Sequence, residues 1–130
     1  MSEQPYTMRT AVLFIAFRRV EESTAVFQAI REARPPRLYF AVDAPRPGKP
    51  EEAAQVARIR ELAGLVDWPC ELKTLFNEVN KGVKYGPWNA MKWFFDQEEE
   101  GIILEDDCLP HPTWFRFAED LLEHHRHDQR

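Results

Sequence analysis

The sequence predicts an α/β protein, a mainly parallel, Rossmann-like sheet with flanking helices. Short apolar runs alternate four times with longer segments of helical periodicity, which is the pattern of repeated strand–helix units. The first, second and fourth runs are almost unbroken in apolar residues, as in strands covered on both faces. Polar or charged residues end each run, so the carboxyl ends of the strands are where chemistry would collect.

Taken in order, Thr10–Phe17 is the first strand and stops at Arg18-Arg19. Glu22-Ser23 can cap a helix running to Glu32, with Ala25, Val26, Ala29, Ile30 and Ala33 on its apolar side, and Pro35-Pro36 forbids continuation. Leu38–Val42 is the second strand and ends at Asp43; the proline-rich loop to Pro50 precedes a helix over Glu51–Leu65. Cys70–Phe76 alternates, as a strand with one wetter face does, and Asn77–Gly86 is a polar, basic, Gly-containing loop. Pro87 opens a helix over Trp88–Gln97, Gly101 turns the chain into the strand Ile102–Leu104, and a last helix covers Pro112–His125. Trp88, Trp93, Phe94, Phe95, Trp114, Phe115 and Phe117 fall at helical spacing and are expected in the core, while Trp68 is undecided.

Composition narrows the function classes. The 130 residues suit one domain, here 10–126, between an amino-terminal extension (1–9) and a short tail (127–130). Net charge is 17 − 22 = −5 with no basic block, which argues against nucleic acid. The apolar run Ala11–Phe17 is too short for a signal or a membrane span, so a cytoplasmic protein without a transmembrane segment is expected. Cys70 and Cys108 are too few for a disulfide framework and are expected as reduced, buried small hydrophobes. His124, His125 and His127 sit together in a charged tail without cysteines, where a helix-end role is favoured over zinc.

The most distinctive stretch is Gly101–Pro110, a buried strand delivering Glu105-Asp106-Asp107 at its tip. Adjacent carboxylates repel one another, and a cation or a donor-rich ligand would offset them. In a parallel sheet the acids would share one edge with Arg18, Arg19, Asp43, Asn77, Asn80, Lys81, Gly82 and Lys84. Carboxylates for a divalent metal, basic groups for phosphate oxygens and an acceptor for a base or sugar together outline a nucleoside diphosphate site.

Gly101–Phe115, with Asn80-Lys81-Gly82 and Lys92–Phe95 before it, resembles the donor-binding half of GT-A fold nucleotide-diphospho-sugar glycosyltransferases. The likeness is to N-acetylglucosaminyltransferase-like members with a Glu-Asp-Asp form of the Asp-x-Asp motif, and it runs from Thr10 to about His125. It implies a metal-dependent transferase domain using Mn2+ or Mg2+ and a nucleoside diphosphate-sugar, a UDP-sugar in particular. Asp107 would bind the metal, Glu105 and Asp106 would lie against the ribose and donor sugar, and Asp43 would hydrogen-bond the uracil ring. Arg18 or Arg19 would lie near the nucleotide, Gly82 would permit close backbone approach beside Asn80, and Lys84 would add a phosphate contact.

Such enzymes use a further stretch beyond the metal motif to hold the acceptor. The expectation is therefore a fragment or short relative, inactive in transfer by itself, with an unknown acceptor and an exposed half-interface that encourages self-association. Two other classes compete. A receiver-type signalling module should carry its acid pair after the first strand, where this chain has Arg18-Arg19. An interaction module with a solvated acidic strand end would show no metal dependence.

Overall fold

The computed structural model describes residues 7–126; residues 1–6 and the tail 127–130, with His127, lie outside the described residues, and for 125 and 126 only the backbone is described. Four strands, β1 (Val12–Ala16), β2 (Arg37–Val42), β3 (Glu71–Phe76) and β4 (Ile102–Glu105), form one sheet in the order β3-β2-β1-β4 with every pairing parallel. The helices are α1 (Val20–Ala33), α2 (Pro50–Arg60), α3 (Gly82–Phe95) and α4 (Trp114–Arg126), with a 3-10 turn at Glu61–Leu65 after α2. The chain is thus α/β with a mainly parallel sheet and flanking helices. No helix among the described residues is long and apolar enough to cross a membrane.

The strand pattern sorts the core into two layers. Val12, Phe14 and Ala16 of β1, with Leu38, Phe40 and Val42 of β2 and Ile102 and Leu104 of β4, pack against α1, α2 and Phe115 of α4. The alternate positions Ala11, Leu13, Tyr39 and Ala41 face Ala90 and Phe94 of α3. This is why β1 and β2 read as continuous apolar runs: period two places every second side chain on each face, and both faces are covered. Successive β1-α1-β2-α2-β3 steps move one way along the sheet. The step from β3 back to β4 reverses direction, so a right-handed crossover carries α3 over the opposite face. Among the described residues, one face therefore holds three helices and the other holds α3 alone.

Several boundaries differ from expectation. α1 begins at Val20 rather than near Ser23; Ser23 is buried, and its hydroxyl has no partner. α1 closes on Arg34 in the left-handed region at φ 56°, whose N–H reaches the Ile30 carbonyl. Met8, placed by sequence in a terminal extension, is buried in the main core, and the Arg9 N–H donates to Glu119 of α4 at 2.7 Å. Trp68 is buried too, its indole N–H donating to the Pro35 carbonyl at 2.8 Å.

The expected aromatic core is only partly realised. Phe94 and Phe115 are buried and Trp93 and Trp114 half-buried, but Trp88, Phe95 and Phe117 are 59%, 45% and 60% exposed. With one layer of helix on each face, the outward side of every helix meets solvent, so residues one or two positions from a buried one turn out of the core.

At the amino end of the sheet, Glu98 after α3 accepts from Arg37 through both oxygens (2.9 and 3.1 Å) and from the Tyr39 hydroxyl (2.7 Å). Burial alone would raise the Glu98 carboxyl, but Arg37 and Tyr39 outweigh it and hold it below its ordinary value. Burial, with the Glu98 contact, pushes the Tyr39 phenol up to about 12. A depressed folded-state carboxyl stabilises above its unfolded pKa and loses that contribution as pH falls through the lowered value. Glu98→Gln should therefore lower the urea midpoint near neutrality, with the difference from wild type shrinking toward acid; a difference constant with pH would refute the coupling.

Candidate functional site

A cleft of about 540 Å³ opens at the carboxyl ends of the strands, on the face that α3 covers. Its floor is Ile15, Ala41 and Leu75, and the α3 wall is made of Gly82, Val83, Gly86, Pro87 and Ala90. Small residues at 86 and 90 keep the helix from filling the space above the sheet. The rim is charged: Arg18 and Arg19 follow β1, Glu105-Asp106-Asp107 follow β4, and Arg46 stands with Asp43, Asn77 and Asn80 beyond β2 and β3. The strand order reverses between β1 and β4, the place where open α/β sheets form their ligand crevice.

Apart from Lys81 and Lys84, the residues placed at this edge from sequence all line the cleft: Arg18, Arg19, Asp43, Asn77, Asn80, Gly82, Glu105, Asp106 and Asp107. Lys84 is not among the lining residues. Because α3 starts at Gly82, position 84 faces away from the sheet, and its ammonium lies 5.7 Å from the Tyr85 ring centre. Arg46, Gly86 and the apolar floor were missed. The floor could have been found from strand alternation; Arg46 sits in an irregular proline loop that gives no such signal. Arg46 is itself committed, its Nε lying 2.8 and 3.0 Å from the two oxygens of buried Glu52.

Asp43 is the centre of the β3–α3 connection. Its carboxylate accepts from the N–H groups of Ala44 (2.9 Å), Lys81 (2.9 and 3.1 Å) and Gly82 (3.0 Å) and from the side-chain amides of Asn77 (3.0 Å) and Asn80 (3.3 Å). The Asn80 amide also reaches the Ala44 carbonyl at 2.7 Å, and Arg60 holds the Asn77 carbonyl at 2.7 Å. A side chain just past the end of β2 thus satisfies the free N–H groups at the start of α3, where the helix dipole favours an anion. An uracil ring would have to compete with five donors for this acceptor, so the expectation that Asp43 reads a base is not what its geometry favours. Gly82 has φ +85°, the left-handed side, and a Cβ there would meet nothing within 4 Å; glycine serves the backbone turn at this position. At Gly86 a Cβ would come 3.2 Å from an Asp43 oxygen, so this glycine leaves room for the carboxylate.

The acids after β4 are not equivalent. Glu105 and Asp107 are exposed, while Asp106 is half-buried. Burial, reinforced by Asp107 and Glu105, pushes the Asp106 carboxyl up; the Phe17 backbone and Arg19 oppose the rise without cancelling it. Asp106 therefore ties the β4 tip to the loop after β1. Cys108 is exposed rather than buried, with its sulfur 3.4 Å from an Asp107 oxygen, and that contact raises the thiol pKa and keeps it protonated. Cys70 is half-buried, and both thiols are free.

Compared with known families, curated proteins and solved structures, the chain matches none.

The residues present can be weighed against the expected divalent metal. Among the described residues no three His, Cys, Asp or Glu side chains converge on a point that could hold an ion. The cleft thus offers hard carboxylate oxygens at one lip but no closed cage. Such a lip suits Mg2+ or Mn2+ only when substrate phosphates complete the shell, as is usual for cations bound through one or two carboxylates.

Proposed function

We propose that this chain is the donor-binding domain of a metal-dependent glycosyltransferase and that its cleft takes a nucleoside diphosphate-sugar, with UDP-sugars the leading class. The observation that carries this reading is the rim of the cleft, where Arg18 and Arg19 face Glu105-Asp106-Asp107 across the β1/β4 reversal point. The two arginines provide fork-shaped donors for phosphate oxygens. Asp107, exposed at the strand tip, would hold a divalent cation jointly with the diphosphate, and the cation would neutralise the charge that grows on the departing nucleotide. Arg19, beside Asp106, would tie the loop after β1 to the acid lip. Asp43 contributes indirectly, by holding Asn77–Gly82 as the far wall.

Calorimetric titration with uridine diphosphate, with and without Mn2+, tests the proposal: binding should strengthen on adding the metal. Outer-shell partners of metals are worth about 10–100-fold in affinity, so losing a direct ligand in Asp107→Ala should cost at least that much of the metal-dependent increment. The variant should melt as wild type does, because Asp107 is exposed. No metal-dependent heat at millimolar ligand, or unchanged affinity in Asp107→Ala, would sink the assignment.

A further inference from the structure

The outward face of α3 has a composition unlike the rest of this acidic chain. Lys84, Trp88 and Lys92 follow one another at i, i+4 and i+8, flanked by Lys81, Tyr85 and Phe95, and all six are exposed. The opposite face of the same helix, through Gly86, Ala90 and Phe94, is buried against the sheet. Tyr85 and Trp88 are 62% and 59% exposed, and the Lys84 and Lys92 ammonium groups each lie 5.7 Å from one of these ring centres. No carboxylate interrupts the helix: Glu78 precedes it and Asp96 follows it. In a chain of net charge −5 this is a concentration of cations and large aromatic side chains turned toward solvent.

From this arrangement we infer that α3 docks the protein on an anionic lipid surface, lying along the membrane plane with Trp88, Tyr85 and Phe95 in the headgroup region. The helix of 14 residues is about 21 Å long at 1.5 Å per residue, so the whole stripe can touch a flat interface at once. Tyr and Trp suit that interface because each has an apolar ring and a polar tip, and lysine stems lie along apolar surface while the ammonium stays wet. Lysines add electrostatic attraction to anionic lipids, and the apolar face adds burial. The cleft lies on the other side of α3 and is lined by residues outside the stripe, so docking leaves its mouth free.

The test is co-sedimentation of the full chain with phosphatidylcholine vesicles with and without phosphatidylserine, at low and high salt. Binding should require phosphatidylserine and weaken with salt. Lys84→Glu with Lys92→Glu reverses two of the stripe's charges and should lower partitioning by at least about tenfold. Trp88→Ser, which removes ring burial but no charge, should lower it as well, and both variants should keep the wild-type melting transition because these side chains are exposed. Equal binding to neutral and anionic vesicles, or full binding by the Lys84→Glu, Lys92→Glu variant, overturns the inference. So does an absence of vesicle binding together with capture of an acidic protein, or of a second copy of this chain, through the same stripe.

Discussion

Gly101→Ala is expected to destabilise the protein by about 3 kcal/mol, the upper range for forcing extra volume into a packed interior. A Cβ at this position would come 2.2 and 2.4 Å from two ring carbons of Phe94 and 3.1 Å from the Ala11 carbonyl oxygen. Phe94 cannot withdraw, because it is fully buried beneath Tyr39 and Leu13 on the α3 face of the sheet. The Ala11 carbonyl cannot move either without losing the Ile102 N–H it accepts at 3.0 Å, the first bond joining β4 to β1. A chain of this size should melt about 10 °C lower, given the usual conversion between stability and melting temperature. Phe94→Ala leaves a cavity but removes the clash, so the double variant should be more stable than the sum of the two single losses predicts. A melting temperature within a degree or two of wild type for Gly101→Ala would show that the turn into β4 is looser than described.

Asp43→Ala should cost about 2–4 kcal/mol, combining the loss of a helix cap with the loss of charge-assisted bonds from Asn77, Asn80, Lys81 and Gly82. The Lys81 and Gly82 N–H groups would be left at the start of α3 with no acceptor from the chain, and the loop over 77–82 would lose the group that gathers it. Chemical denaturation measures the stability term. Hydrogen exchange at Lys81 and Gly82 measures the local one, which should rise well beyond the increase seen in β1. Asp43→Asn retains one acceptor oxygen but turns an amide toward the same donors, so it should recover only part of the loss. If Asp43→Ala keeps wild-type stability and slow exchange at Lys81, the carboxylate is not the organiser of this loop and is free to serve a ligand.

These two positions also mark how far the sequence could be read. The four strands, the burial of β1, β2 and β4 with the wetter face of β3, and the placement of Arg18, Arg19, Asp43 and the 105–107 acids at strand ends follow from local pattern. Each strand is a short run whose period and punctuation sit within a few residues of one another. The start of α3 is different. Proline at a first helical position places it at Pro87, yet the helix begins at Gly82, and Pro87 lies inside it. The added turn is capped by Asp43, a partner some forty residues earlier that no local window contains. Moving the start of the helix also decided that Lys84 faces away from the cleft and that Gly86 and Ala90 face into it.

What the sequence by itself determined was the alternation of strands and helices, the two-sided burial of β1 and β2 and the set of polar groups at the sheet's carboxyl edge, because these depend on side-chain periodicity along continuous segments. Only the tertiary structure decided that Trp88, Phe95 and Phe117 are exposed. It likewise decided that Asp43 is saturated by its own chain and that the acids after β4 form a lip instead of an ion cage. Those outcomes turn on which elements meet across the sheet: α3 alone covers one face, and side chains distant in sequence compete for the same acceptors.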